Sequence, residues 1–361
     1  MCVGLDDAGR NWFLKVESDL KEMKCTQSKV DPCLFFFFLD NGELGGIIYL
    51  YVDDFLHLGG STFEEEVVRK IHKVYKIGKM ESGNFSYTGL QVHSTDAGIV
   101  VNQADYISNL ENVEVPRELK RSDLINQAGK SPLRQAVGQA NWAARRTRPE
   151  VSFDLMELSM KFNSTTVAGL IRANKVIEKL KSNQSSIVFP KLKGSLKFIT
   201  HSDASFANLI DGVSSGRGHV IFLTDEANKA APLGWTTNKV RRVVTSTLAA
   251  EALSLEDCLS HAQYLRYMVA EAMKVKPTDI PIIAYTDSDN LYKSLYSTSL
   301  VNDQKLRIDI GAIKQAIQEE NISVKWITNK QMLADSFTKK GADSKMLMDV
   351  LKMGKMPSYD D

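Results

Sequence analysis

The sequence has almost no net charge, few cysteines and no long apolar run. Its 45 basic and 44 acidic residues leave a net charge of +1, so any surface for nucleic acid must be a local basic patch. The four cysteines lack metal-ligand spacing and are expected to be thiols in a reducing compartment. The apolar stretches at 35–38 and 45–52 are too short to cross a bilayer. No signal peptide is recognisable, so we expect an intracellular protein without a membrane partner.

The remaining composition is that of a globular protein. Hydrophobic residues make up 43% of the 361 residues, which is enough for sizeable cores. The length suggests roughly two or three domains. Polar residues predict a connecting loop at 116–130 and a linker at 182–186. We therefore place a domain boundary near Pro190.

Four carboxylates are notable for the elements on which they lie. Asp203 ends a predicted strand, Glu251 lies on a long predicted helix, Asp287 ends an apolar strand, and Asp335 starts a predicted last helix. The intervals are 251 − 203 = 48, 287 − 251 = 36 and 335 − 287 = 48. An acid at the carboxyl end of a central strand can project into a cleft. Four such acids suit two magnesium ions, which take oxygen ligands and share carboxylates.

Each acid also has a structural alternative. Asp203 can cap a turn, Glu251 can be a surface charge, and Asp335 can cap the last helix. Glu251, however, lies within the otherwise apolar segment 248–253, where burial is costly without a metal or another partner. Asp289 competes with Asp287 as the third ligand. We prefer Asp287 because it directly ends the strand, whereas Asp289 begins the next helix and suits a helix cap.

Two adjacent acids mark an earlier turn. The sequence Tyr51-Val52-Asp53-Asp54 joins the apolar stretches 45–51 and 55–58, which predicts a hairpin. Aspartate is common in turns, so the turn alone favours a structural role. The flanking apolar strands and the four later acids favour an active site instead.

In this order, the YVDD turn and the four-acid series resemble the end of the reverse transcriptase and the ribonuclease H domain of copia-type retrotransposon Pol polyproteins. The resemblance covers nearly the whole chain. It implies an α/β chain, in which an α+β palm and thumb remnant precedes an RNase H-like mixed β-sheet with helices on both faces. The implied domains are a partial palm at 1–103, a helical thumb or connection at 104–190, the RNase H-like domain at 191–345 and a tail at 346–361.

The resemblance also implies a metal-dependent RNase H-type endonuclease. Two Mg²⁺ or Mn²⁺ ions per active site would activate water and stabilise the leaving 3′ oxygen. The implied metal ligands are Asp203, Glu251, Asp287 and Asp335 in the nuclease, and Asp53 and Asp54 in the polymerase. The substrate would be the RNA strand of an RNA–DNA hybrid, recognised by hybrid shape and 2′-hydroxyls. The alternative is an inactive mobile-element remnant that only binds nucleic acid.

Other partners and the location follow from the same resemblance. The partners would be template-primer nucleic acid and the rest of the Pol polyprotein, including the missing fingers and palm, the integrase and the protease. The expected location is a cytoplasmic virus-like particle with access to the nucleus.

Three features of the family have no match in the sequence. The upstream palm aspartate that accompanies Asp53 and Asp54 is not found. Asp7 stands where the family has the glutamine of a Lys-Gln pair, and 327–331 lacks the histidine that precedes the last acid in many cellular ribonucleases H. We therefore expect a polyprotein fragment that extends no primer, with slower proton delivery or product release in the nuclease.

Two short basic segments are candidates for contact with nucleic acid. Phosphate contacts need only point charges, although a charged helix face is often simply solvated. The candidate residues, with the tyrosine of the YVDD turn, are Arg145, Arg146, Arg148, Lys239, Arg241, Arg242 and Tyr51. The glycines at 216–218 predict a turn, and residues 194–353 are expected to fold alone because their elements make a complete layered core.

Overall fold

The computed structural model describes residues 7–298 and 301–359. The chain groups into two compact units, one comprising residues up to 80 together with 263–280, the other comprising 81–262 and the residues from 281 onward. None of the helices in the described ranges combines the length and apolar character that a bilayer crossing requires.

The first unit contains a four-stranded antiparallel sheet and flanking helices. Its elements are α1 (Ala8–Glu22), β1 (Cys25–Gln27), β2 (Leu34–Phe38), β3 (Leu44–Tyr51), β4 (Asp54–Gly59), α2 (Ser61–Phe63), a π turn (Glu64–Val68) and α3 (Arg69–Val74). The strands lie in the order β1-β2-β3-β4. Val16 and Leu20 are one helical turn apart on α1, and both are buried in a cluster with Phe35 and Ile48. The predicted hairpin is present, since β3 and β4 are antiparallel neighbours and only two residues separate them.

The second unit begins with another antiparallel sheet, made of β5 (Asn84–Tyr87), β6 (Leu90–Thr95), β7 (Gly98–Asn102) and β8 (Ser186–Pro190). The helices between its third and fourth strands are α4 (Ala104–Ser108), α5 (Gln127–Arg146), α6 (Ser152–Met160) and α7 (Val167–Ser182). Their apolar faces form one buried cluster that includes Leu133, Ala140, Leu170 and Leu180. The predicted linker at 182–186 is therefore partly wrong, because residues 186–190 pair with β7, with Val188 opposite Val100.

A mixed five-stranded sheet follows, and it confirms the predicted fold class. Its strands are β9 (Lys197–Ser205), β10 (Gly216–Thr224), β11 (Ala230–Lys239), β12 (Ile282–Thr286) and β13 (Ile322–Trp326), in the order β11-β10-β9-β12-β13. Strands β9, β10 and β11 are antiparallel neighbours, whereas β12 is parallel to both β9 and β13. The helices of this region are α8 (Thr247–Met273), α9 (Asp289–Tyr296), α10 (Gln304–Glu319) and α11 (Lys345–Met353).

Side chains on β10 show that both faces of this sheet are covered. Successive residues of a strand point to opposite faces. His219 contacts His261 of α8, with 2.9 Å between the Nε2 and Nδ1 atoms. The neighbouring Gly218 faces Phe337 on the other side. The sheet that carries Asp203 is therefore packed between two layers.

Several local predictions need correction. Residues 216–218 form the start of β10 and not a turn. Asp335 begins a single 3₁₀ turn, Asp335–Phe337, and not a helix. Ser288 caps α9 by accepting a hydrogen bond from the backbone of Leu291, so Asp289 is not the cap.

The predicted tail is also different in the structure. Residues 345–353 form α11, and Leu347, Leu351 and Met356 are buried in the same cluster as Ile187 of β8. The predicted fragment 194–353 excludes both Ile187 and Met356 of this cluster, and its independent folding stays a prediction. The division into palm, thumb and nuclease domains stays a prediction.

Candidate metal centre

Asp203 is held on the central strand β9 and is 1% exposed. Its backbone carbonyl accepts a 2.7 Å hydrogen bond from Ser254 Oγ of α8. Its carboxylate Oδ2 accepts a hydrogen bond from Thr338 Oγ1, which follows the 3₁₀ turn. The strand, the helix and the turn therefore fix both the backbone and the side chain of Asp203.

The parallel register brings Asp287 to the same level. His201 of β9 pairs with Tyr285 of β12, so two further residues along each strand lead to Asp203 and Asp287. Asp335 approaches from the 3₁₀ turn. One carboxylate oxygen from each of these three aspartates lies within 4.8 Å of the others. The structure thus brings together three of the four acids predicted for the nuclease, as one possible ligand group.

Gly218 allows this close approach of the turn. It pairs with Asp203 across β10 and β9, and a Cβ atom at Gly218 would lie only 2.3 Å from Cβ of Phe337. Phe337 is fully buried beside Asp335. The absence of a side chain at Gly218 therefore sets how near Asp335 comes to the sheet.

Glu251, the fourth acid, lies in the first turns of α8 and is 5% exposed. Its carboxylate accepts a hydrogen bond from the backbone of Ala204, the neighbour of Asp203. Burial raises its pKa well above the ordinary value, and the negative charges of Asp203 and Asp287 raise it further. Glu251 thus lies beside the three aspartates, although the tight group itself consists of the aspartates.

The aspartates are also electrostatically strained. Burial raises the pKa of Asp203 to about 7, with a further rise from Asp287 and an opposing effect of Lys339. Burial likewise raises the pKa of Asp287, and Asp335 adds to that rise. Such a concentration of negative charge at low exposure favours the binding of cations or protons.

Lys339 is a residue of this centre that the sequence did not point out. Its Nζ lies 2.6 Å from Asp335 Oδ1, 3.3 Å from Asp203 Oδ1 and 3.8 Å from Asp287 Oδ2. Burial alone would lower the pKa of Lys339, but the surrounding carboxylates raise it above the ordinary value. The spacing of Asp335 and Lys339 by four residues was the available signal, since it lets the two side chains meet on a helical turn.

The YVDD turn lies in the first unit and is exposed. Tyr51 pairs with Asp54 across β3 and β4, and Val52 has φ of 55°, a left-handed conformation that β-branched residues rarely adopt. Trp12 Nε1 donates a 3.0 Å hydrogen bond to the Val52 carbonyl. Within 7–298 and 301–359, the only group of three acids suited to a metal is the one around Asp203. No third acid in those ranges completes such a group with Asp53 and Asp54.

The predicted basic segments divide into buried and exposed residues. Arg148 is fully buried, and its Nε donates a 2.6 Å hydrogen bond to Glu150. The prediction that Arg148 contacts nucleic acid is therefore wrong, because its guanidinium is already enclosed and paired. Arg145 and Arg146 are exposed at the end of α5, and Arg146 lies over the ring of a neighbouring tryptophan.

The second basic segment is exposed, and two of its members pair with acids. Lys239 Nζ lies 3.4 Å from Asp211, and Arg242 pairs with Asp309. Arg241, between them in sequence, is exposed. The contacts of these residues with nucleic acid stay predictions.

Comparisons with known proteins agree with the resemblance. No protein-family model matches the chain. The chain is 23% identical over 350 residues to the "Retrovirus-related Pol polyprotein from transposon RE1" of Arabidopsis thaliana, which covers 93% of this chain and 23% of that protein. It is 24% identical over 259 residues to a putative transposon Ty5-1 protein of Saccharomyces cerevisiae, covering 67% of this chain and 80% of that protein. The predicted similarity to transposon Pol polyproteins is thus confirmed, while the copia type stays a prediction.

The chain spans about a quarter of the length of the plant Pol polyproteins that it matches. Solved structures with similarity include LC11-RNase H1 in complex with an RNA/DNA hybrid, at 20% identity and a TM-score of 0.30, covering 39% of this chain and 94% of that one. Another is the prototype foamy virus protease-reverse transcriptase, at 16% identity and a TM-score of 0.26, covering 48% of this chain and 23% of that one.

Proposed function

We propose that this chain hydrolyses the RNA strand of RNA–DNA hybrids in the manner of a ribonuclease H. The observation that carries the proposal is the group of Asp203, Asp287 and Asp335, whose oxygens lie within 4.8 Å of one another. The buried Glu251 lies next to this group. The curated relatives of the chain include proteins named Pol polyproteins from transposons, which supports a role in the replication of a transposable element.

The donor set fits hard divalent cations. All four candidate ligands are carboxylates, and Mg²⁺ and Mn²⁺ favour oxygen donors. Burial and, after it, the neighbouring acids raise the pKa values of Asp203 and Asp287, so both carboxylates gain from nearby positive charge. Two bound ions would supply activation of the attacking water and stabilisation of the leaving 3′ oxygen.

The residues of this chain would orient the reaction. Thr338 and Ser254 hold Asp203 from two sides, so its carboxylate keeps a fixed direction. The paired strands β9 and β12 keep Asp287 level with it. Asp335 is the most exposed of the three aspartates, with 23% of its side chain accessible, and it marks the edge from which a phosphodiester would enter. The rigid placement of several ligands on strands favours catalysis through preorganisation.

The proposed substrate is a hybrid duplex recognised through its backbone and its 2′-hydroxyls. RNA is distinguished from DNA by the 2′-hydroxyl, while lysines and arginines contact phosphates without reading sequence. The exposed Arg145, Arg146, Lys239, Arg241 and Arg242 are the candidates that remain for such contacts. We expect the affinity for a hybrid to fall as salt rises, since each neutralised phosphate releases counterions.

We expect no DNA synthesis by this chain alone. Asp53 and Asp54 would supply two of the acids of a polymerase centre. No third acid joins them in the residues that the structure describes. A primer-extension assay with the purified chain and Mg²⁺ is therefore expected to give no product, and robust synthesis would contradict this part of the proposal.

The nuclease is tested with a labelled RNA–DNA duplex and three proteins. Asp287→Asn should reduce the rate at least about a hundredfold, equivalent to about 2.7 kcal/mol of transition-state stabilisation. Asp289→Asn is the matched control, since Asp289 is half exposed and pairs with Lys293. Cleavage by the wild type should stop when all divalent metal is chelated.

Two outcomes would overturn the proposal. Equal losses in the two variants would show that Asp287 has no special role. Tight hybrid binding without cleavage, with Mg²⁺ or Mn²⁺ at any concentration, would favour the remnant that only binds nucleic acid.

A further inference from the structure

Lys339 contacts all three aspartates of the metal centre with one ammonium group. The distances from Nζ are 2.6, 3.3 and 3.8 Å, to Asp335, Asp203 and Asp287. The side chain is 36% exposed, so it reaches into the centre from its open edge. Its backbone N–H donates a 3.0 Å hydrogen bond to the Asp335 carbonyl, which fixes where the side chain starts.

An ordinary surface ion pair on the same chain shows the difference. Lys293 Nζ lies 2.6 Å from Asp289, also four residues away. Both members of that pair are largely exposed, with 71% and 51% of the side chains accessible, and such pairs contribute little to stability. Lys339 has the same local spacing, but two of its three partners, Asp203 and Asp287, are almost completely buried.

The ammonium lies between the carboxylate oxygens, where the attraction for any cation is strongest. Mg²⁺ binds oxygens at about 2.1 Å with near-octahedral geometry. The same carboxylate oxygens cannot surround a divalent ion while an ammonium remains between them. Lysine has a flexible four-carbon stem, so Nζ can withdraw toward the open edge when the oxygens turn to another cation.

We propose that Lys339 is a built-in counter-ion of the metal centre, which holds the aspartates together without metal and must be displaced when a divalent cation binds. The inference rests on the proposed metal centre and adds a positioning role for this residue. Lys339 thereby sets the concentration of metal at which the site fills. A site with such a counter-ion stays assembled at low metal concentration, at the expense of weaker metal binding.

Metal binding by the nucleic-acid-free chain tests the proposal directly. Isothermal titration calorimetry with Mn²⁺ would compare the wild type with Lys339→Met and Lys339→Gln, and Lys293→Met is the matched control. An opposite charge at this range shifts the proton affinity of a carboxylate by roughly 1 to 3 pKa units. Removal of the ammonium should therefore lower the Kd for Mn²⁺ at least about tenfold in both Lys339 variants. The control should leave the Kd unchanged.

Thermal unfolding separates this role from simple packing. In EDTA, both Lys339 variants should melt at lower temperature than the wild type, because the three aspartates lose the positive charge that offsets their mutual repulsion. At saturating Mn²⁺ the difference should disappear, since metal replaces the missing charge. A packing role would lower the melting temperature equally in both conditions, and that result would overturn the proposal.

The outcomes also distinguish this inference from the proposed function. Mn²⁺ binding by the wild type that Asp203→Asn abolishes would support the metal centre whatever Lys339 does. An unchanged or higher Kd in Lys339→Met and Lys339→Gln would then overturn the counter-ion alone. A change in Lys339→Met without one in Lys339→Gln would also overturn it, because both variants lack the charge.

Discussion

Replacement of Asp203 by asparagine should stabilise the metal-free protein while it abolishes the proposed nuclease activity. Asp203 is 1% exposed and close to three other acids. Burial raises its pKa to about 7 from the ordinary value of 3.8. Between about pH 4 and 7 the folded protein therefore holds a proton on Asp203 that the unfolded chain releases, so the penalty on folding grows over this range and is complete above pH 7.

The magnitude follows from that shift. A shift of about 3 pKa units corresponds to roughly 4 kcal/mol, because each unit is 1.36 kcal/mol. Asparagine removes this cost, which already includes the opposing attraction to Lys339, so we expect a gain of up to about 4 kcal/mol at pH 8. For a chain of 361 residues, an unfolding entropy of about 2.1 cal/mol/K per residue makes each kcal/mol worth roughly 1.3 °C in melting temperature.

The destabilisation caused by Asp203 depends on pH. The unfolded carboxyl titrates near pH 4 and the folded one near pH 7. The destabilisation of the wild type is thus absent below about pH 4, grows between pH 4 and 7, and is complete above pH 7. The advantage of the asparagine variant in EDTA should grow over the same range.

Differential scanning calorimetry in EDTA at pH 4.5 and 8 measures these changes, with Asp289→Asn as control. At saturating Mg²⁺ the order should reverse, because only the wild type gains stability from bound metal. A melting temperature of Asp203→Asn below that of the wild type in EDTA at pH 8 would refute the electrostatic reasoning.

Three further changes test other parts of the structure. Arg148→Met leaves its buried carboxylate partner unpaired and should cost about 3–5 kcal/mol in urea unfolding, more than Arg172→Met, whose side chain is 21% exposed; equal costs would contradict the burial of Arg148. Gly218→Ala should push away the turn that carries Asp335 and lower the rate of hybrid cleavage at least about tenfold. Gly138→Ala is the control and should retain full activity, because a Cβ atom there meets nothing within 4 Å. Equal activities of the two variants would show that Gly218 is not needed for the approach of Asp335. Val52→Gly should raise the free energy of unfolding by about 1 kcal/mol, because glycine adopts the left-handed φ of this position without strain. A lower melting temperature of the variant would count against strain at Val52.

The sequence predicted the sheet and the acids because both depend on local patterns. Apolar strands ended by aspartate predicted where Asp203 and Asp287 lie, and the parallel register then placed them side by side. The apolar surroundings of Glu251 predicted its burial, which the structure confirms. These inferences needed no knowledge of distant contacts.

Other features depended on contacts between distant segments. Arg148 has two arginines nearby in sequence, and the sequence alone does not show that it turns inward toward Glu150. Gly218 indicated a turn because glycine is frequent there, whereas its role is to leave room for Phe337. Lys339 had only the spacing from Asp335 as a signal, and its contacts with Asp203 and Asp287 emerge only when the turn meets the sheet.

The strand order also bears on when the candidate metal centre forms during folding. β9 is the first strand of its sheet in the chain, yet it is central, and its parallel partner β12 begins only at Ile282. Asp335 comes later still, 335 − 203 = 132 residues after Asp203, and Lys339 follows four residues after it. Contacts between such distant segments slow folding, since loop closure must precede them. In refolding experiments, metal binding should therefore return with the slowest phase, after most helical signal has recovered.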